Sequence, residues 1–151
     1  MINHVGFKRI KAVPMTRKEY NDYRGWELPK DENPEDKGFL VEYEASNTSK
    51  PNHKDHAGYI SWSPEDVFVE AYKPSDNLTF AEALAVCLGG CSIARKGWNG
   101  KGLSLELQVV LDEQGKAHKT VMIRYPDGEL FLWQPSPTDL VAEDWMFDEG
   151  K

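Results

Sequence analysis

Residues 94–102 hold the densest run of chemistry in the chain. Arg95, Lys96 and Lys101 are cations, Trp98 offers an aromatic face and Asn99 an amide, and Gly97, Gly100 and Gly102 are interleaved with them. No acidic residue lies between Glu82 and Glu106. Arg and Lys meet phosphate oxygens. An indole face stacks a base for roughly 1–3 kcal/mol. An amide reads a base or ribose edge, and glycine lets the backbone approach a ligand closely. Together these residues suit a small phosphate-bearing ligand with a base. The same spacing also fits a loop whose Trp plugs a core and whose cations face water. The phosphate-loop spacing GxxxxGK[ST] is absent.

A second set of short polar groups lies at residues 133–139. Ser136, Thr138 and Asp139 follow Pro135 and flank Pro137, where a short helix is expected to begin. Their ordinary role is to cap that helix. Their functional role would be to turn hydroxyls and exposed amides toward a ribose or phosphate. No catalytic set is recognisable. There is no GxSxG elbow and no Cys–His pair at a family spacing. The neighbours Glu65 and Asp66, and Glu143 and Asp144, point in different directions on a helix and read as solvated surface. Cys87 and Cys91 are the only cysteines. Structural zinc sites use four ligands, so Cys87 reads as a buried reduced thiol. Neither metal nor cofactor is expected.

The elements that must position these groups form two sets, divided near Pro74. In residues 1–76 a strand is expected over 7–15. Thr16 and Glu19 form a capping box for a helix reaching Arg24. Residues 38–43 and 59–62 read as strands, with polar loops at 28–37 and 45–57. Ser63 is placed as a cap and Pro64 as the first residue of a helix running to Tyr72. Tyr20, Tyr23 and Trp26 read as core or interface residues.

In residues 77–151 a second capping box, Thr79 with Glu82, opens a helix with Phe80, Ala83, Leu84 and Cys87 on one face. Gly89 and Gly90 stop it. Strands follow at 92–95, 103–111, 118–125 and 129–133. Leu103, Leu105, Leu107, Val109 and Leu111 alternate in period two, and Pro126-Asp127-Gly128 marks a turn. Residues 143–147 close the domain. The expected fold is α+β: a small antiparallel sheet with one packed helix, preceded by a second small α+β module.

The 151 residues carry a net charge of −7, with 40% hydrophobic and 28% charged residues. That composition folds. Both parts are acidic, with 11 basic against 14 acidic residues in 1–76 and 7 against 11 in 77–151. Neither suits non-specific nucleic-acid binding. No run reaches the roughly 18–20 apolar residues of a membrane helix. The N-terminus lacks a charged region followed by an apolar run, so a cytoplasmic protein is expected.

Three segments of residues 77–151 occur together and in order. They are Leu78-Thr79-Phe80-Ala81-Glu82-Ala83-Leu84, the run Ala94 to Gly102, and Ser136-Pro137-Thr138-Asp139 through Asp144-Trp145. In combination they resemble the second type of phage-encoded Thoeris anti-defence family. The resemblance implies a non-enzymatic sponge in the cytoplasm of the infected bacterium. Such a sponge captures glycocyclic ADP-ribose, the signal of a TIR-domain immune enzyme, without cleaving it. Some members are similar in capturing cyclic dinucleotides of the CBASS pathway. It further implies a homotetramer with ligand pockets at subunit interfaces. Carried over residue by residue, Trp98 supplies the stacking face, and Asn99 and Gly100 contact the nucleotide. Arg95 or Lys101 offsets its phosphates, and Ser136, Thr138 and Asp139 meet ribose or base edges.

Residues 1–76 depart from the minimal family pattern. Residues 15–26 and 59–64 resemble an accessory segment of other small phage proteins. Two other readings remain open on the sequence alone. One is an enzyme that degrades or modifies the nucleotide, with Asp139 or Asp144 as base. The other is a module that blocks a host protein through the aromatic N-terminal half.

Overall fold

Capping boxes set the starts of three helices. Thr16 accepts the Glu19 amide while the Glu19 carboxylate reaches back to the Thr16 amide. Thr79 with Glu82 and Ser136 with Asp139 repeat the device. Each satisfies amides that a helix start would leave unpaired, worth about 1 kcal/mol. The computed structural model describes residues 1, 2, 4, 6–45, 50–98 and 102–148. The fold is α+β and divides into two compact units, Met1–Tyr72 and Lys73–Lys151. Ser75 lies within the second unit, where its carbonyl accepts the Phe147 amide at 3.2 Å.

The first unit orders its strands β1 (Ile10–Pro14), β2 (Gly38–Tyr43) and β3 (Tyr59–Pro64) as one antiparallel sheet with β2 central. Helix α1 (Arg17–Arg24) buries Tyr20 against Leu40 and Ile60. It ends at Gly25, whose φ of 68° is the left-handed turn that favours glycine. The indole N–H of Trp62 donates to the Met15 carbonyl at 2.9 Å. Of the three aromatic residues expected in the core or an interface, Tyr20 is buried. Trp26 is half exposed beneath the Arg24 guanidinium, 4.2 Å from its ring centroid. Tyr23 stacks on His53 at 4.6 Å.

Helix α2 (Glu65–Ala71) starts differently from the expectation. Ser63 remains in β3 opposite Phe39, Pro64 pairs with Gly38, and no side chain caps the helix. The Glu65 amide instead donates to the Lys37 carbonyl at 3.1 Å. Extending the sheet ladder outcompetes the serine cap here. Phe68 stacks on Phe39 at 4.0 Å and holds the helix to the sheet.

The second unit contains α3 (Phe80–Leu88), β4 (Ser92–Arg95), a 3-10 turn (Lys96–Trp98) and β5 (Ser104–Leu111). These are followed by β6 (Ala117–Arg124), β7 (Leu130–Leu132), α4 (Pro137–Leu140) and β8 (Trp145–Asp148). The sheet order is β7-β6-β5-β4-β8, antiparallel throughout. The last strand therefore pairs with β4 rather than with its chain neighbour β7. This places residues 144–147 beside residues 92–96.

Helix α3 lays Ala83 and Cys87 on Ile93, Leu105 and Trp145. Burial pushes the Cys87 thiol up and keeps it protonated. Neither Cys87 nor Cys91 is in a disulfide. The expected period-two face of β5 is buried only at its start. Leu105 is inaccessible, whereas Val109 and Leu111 are exposed. A helix of 9 residues is about 13 Å long. A strand of 8 residues runs about 27 Å, so the helix covers half of it. No helix among the described residues is long and apolar enough to cross a membrane.

Candidate functional site

Strand pairing between β4 and β8 brings the two polar segments singled out in the sequence onto one set of contacts. Arg95 ends β4. Its Nε donates to Asp144 Oδ1 at 2.8 Å, and its Nη1 donates to Asp139 Oδ1 at 2.8 Å. Asp139 lies in the first turn of α4. Its other oxygen accepts the Ser136 amide at 2.9 Å and the Ser136 hydroxyl at 2.7 Å. Asp144 Oδ2 accepts the Gly97 amide at 3.1 Å, and the Asp144 carbonyl accepts the Lys96 amide at 2.9 Å. One guanidinium thus ties the turn after β4 to the start of α4.

The electrostatics follow from this geometry. The hydrogen bonds that Arg95 donates to Asp144 and then to Asp139 raise its pKa, against a smaller desolvation cost. The Arg95 bond holds Asp144 below the usual carboxylate range, outweighing burial. For Asp139 burial is the largest influence and pushes upward. The Ser136 hydroxyl, Arg95 and the Ser136 amide together outweigh it, and the net shift is down. Both carboxylates are therefore ionised, and one positive charge faces two negative ones.

Aromatic residues form the floor. Trp145 is fully buried, and its indole N–H donates to the Asp139 carbonyl at 3.0 Å. Phe80, Trp98 and Trp133 surround it at centroid separations of 5.4, 5.4 and 6.0 Å. Trp98 is half-buried, set edge-on to Trp145 at 73° and packed against the core. Trp98 seals the core at one edge and keeps part of its surface in water. Gly102, past the end of the loop, has φ 58°. A Cβ there would lie 3.1 Å from Pro126 Cγ, so glycine suits both the backbone and the space.

The expected site residues separate by environment. Trp98 is partly accessible, and Ser136 and Thr138 are exposed, their hydroxyl oxygens 2.9 Å apart. Arg95 and Asp139 are turned toward each other. Ser136 and Asp139 make the capping box that ordinary helix chemistry predicts. Asn99, Gly100 and Lys101 lie outside the described residues. Lys96 pairs with Asp76 at 3.2 Å, with side chains 40% and 60% exposed. Asp144 corrects the expectation of a solvated carboxylate. It is partly buried because Arg95 and the Gly97 amide gather around it. Its role was missed because its partner is 49 residues away. Among the described residues no group of His, Cys, Asp and Glu is arranged to hold a metal ion.

A family profile described as a Thoeris anti-defense 2-like domain matches residues 78–147. A curated relative, "Thoeris anti-defense 2" of Bacillus phage SP01, is 32% identical over 81 residues. The aligned segment is 45% of this chain and 91% of that relative. The chain belongs to the Thoeris anti-defense 2-like family. The Thoeris anti-defense 2-like domain begins at Leu78, which bridges Trp145, and ends at Phe147 in β8. Its matched span contains the whole Arg95–Asp139–Asp144 arrangement, and the first unit lies outside it.

Proposed function

We propose that the second unit is a phage anti-defence sponge that sequesters a cyclic nucleotide immune signal without cleaving it. The ligand is glycocyclic ADP-ribose, with cyclic dinucleotides of the CBASS pathway as a second class. Sequestration in the host cytoplasm starves the Thoeris effector, and CBASS effectors where a dinucleotide is held. The observation that carries the reading is the likeness to Thoeris anti-defense 2 over nearly all of that protein's length.

The local chemistry supports it. The partly accessible Trp98 offers a stacking edge or face. Asn99, Gly100 and Lys101 follow it in sequence and supply an amide, close backbone approach and a cation. The exposed hydroxyls of Ser136 and Thr138 supply hydrogen bonds to ribose, while Arg95 and Asp139 border the site. The ligand is held at subunit interfaces of a homotetramer. A hydrolase using Asp139 or Asp144 is disfavoured, because both carboxylates are held down by their partners. A general base at neutral pH works best with a pKa near 7.

Calorimetry of the purified protein against glycocyclic ADP-ribose and a cyclic dinucleotide panel tests the proposal. The complex is then heat-denatured and the small molecule recovered. Saturable binding with intact ligand is expected. A changed product would establish an enzyme instead, and no binding to any member removes the reading. Trp98→Ala should weaken binding at least tenfold, about 1.4 kcal/mol, while the fold persists.

A further inference from the structure

We infer that Arg95 is a positioning residue: it orients the Lys96–Trp98 turn through Asp144 and Asp139 and does not itself meet the ligand's phosphates. This rests on the sequestration reading for its binding assay. The geometry is specific. Two separate nitrogens of one planar fork engage two carboxylates, Asp139 in α4 and Asp144 just before β8, each at 2.8 Å. Each carboxylate is in turn fixed to backbone: Asp144 to the Gly97 amide at 3.1 Å, Asp139 to the Ser136 amide at 2.9 Å. The peptide just past Arg95 is fixed a second time, by the Lys96 amide on the Asp144 carbonyl. Trp98 follows at once, resting its edge on Trp145, whose own N–H is held by the Asp139 carbonyl.

The chain of contacts from Arg95 to Trp98 is therefore closed on both sides. A phosphate placed at Arg95 would face two ionised carboxylates beside one guanidinium, a net repulsion. The anion must be met elsewhere, while Arg95 sets where Trp98 stands. Lysine cannot replace it in this role. A single ammonium is a point charge and cannot hold the two carboxylates in the planar arrangement of the fork.

The test uses the full chain, with glycocyclic ADP-ribose as probe. Arg95→Lys keeps the charge, and Asp144→Asn keeps the shape; melting and far-UV circular dichroism check that each folds. Both variants should bind at least tenfold more weakly. Arg95→Lys combined with Trp98→Ala should be clearly less than additive, because the two act through one element. The ionic-strength dependence of binding should match that of the wild type in Arg95→Lys. Near-UV circular dichroism of the unliganded protein should change in Arg95→Lys as the Trp98–Trp145 edge contact shifts.

Full additivity with Trp98→Ala would make Arg95 a direct phosphate contact and overturn the inference. So would unchanged affinity in a folded Arg95→Lys. A wild-type protein that binds nothing rejects the sequestration reading alone. The near-UV signal still decides the positioning role, and an unaltered spectrum in Arg95→Lys rejects it.

Discussion

Trp145→Phe is the most informative single change in the second unit. Trp145 has no accessible surface and touches Phe80, Trp98 and Trp133. Its backbone exchanges both hydrogen bonds with Leu78, at 2.9 and 3.1 Å, and the substitution leaves these in place. Two things are lost. The Asp139 carbonyl loses its indole donor but keeps the Ala142 amide at 3.4 Å, so the lost bond costs about 0.5–1.5 kcal/mol. The smaller ring also leaves a void of a few tens of Å³, which at roughly 24 cal/mol per Å³ adds about 1 kcal/mol.

The expected destabilisation from Trp145→Phe is about 1.5–2.5 kcal/mol. An ~80-residue unit has roughly 4–12 kcal/mol in total. The variant therefore folds, with a clearly lowered midpoint. Urea unfolding followed by circular dichroism, extrapolated linearly, measures it. The same variant should perturb the start of α4, because the lost bond ends on Asp139. A loss below 1 kcal/mol would refute the reasoning, by showing that the indole bond and its surrounding rings do not act as the hub of this core.

Thr79→Ala removes the α3 cap and should cost about 1 kcal/mol, read as a lower melting temperature; an unchanged melt would mean that tertiary packing alone sets the helix start. Gly58→Ala should destabilise the first unit by more than about 2 kcal/mol, since its Cβ would collide with the Tyr43 carbonyl oxygen, which is backbone; a wild-type proteolysis pattern would refute this. Asp144 and Asp139 have folded pKa values below the ordinary one, so their stabilisation is complete above the unfolded value near 3.9 and is lost as pH falls through the folded values. Asp144→Asn should therefore flatten the fall in melting temperature below about pH 4, and an equally steep fall would exclude this pair as the cause.

What the sequence disclosed was what neighbours in the chain decide. The capping boxes of α1 and α3, the capping role of Ser136 and Asp139, the glycine stop after α3 and the strand segments before and after Asp112 all depend on contacts within a few residues. Each was legible for that reason. The α2 start was misread because its competitor, the β2–β3 ladder, pairs Ser63 with a residue 24 positions earlier. The exposed far end of β5 was not legible, because alternation tells which residues share a face and is silent on how far a helix extends over it. The two segments of the candidate site were singled out from their residue types and the family resemblance. Their junction through Asp144 was not, since it depends on β8 crossing to pair with β4.

That junction changes how charge must be counted here. Along the chain, residues 83–105 form an acid-free window with three cations. In the fold, Asp139 and Asp144 arrive from outside the window and bracket Arg95. Asp76 reaches Lys96 from the other side. The first pairing is partly buried and keeps its strength, and the second is exposed and screened by salt. A positive island in sequence thus becomes a partly buried ionic clamp with an exposed rim. On the proposed sequestration reading, the attraction for an anion falls to Lys96, whose pairing with Asp76 is exposed, and to Lys101, three positions after Trp98 in the sequence. A site built this way separates two duties that a single arginine would otherwise combine. On the proposed reading, one set of charges fixes the indole and another attracts the ligand. Ionic strength should therefore act on binding through the lysines alone, leaving the geometry of Trp98 untouched.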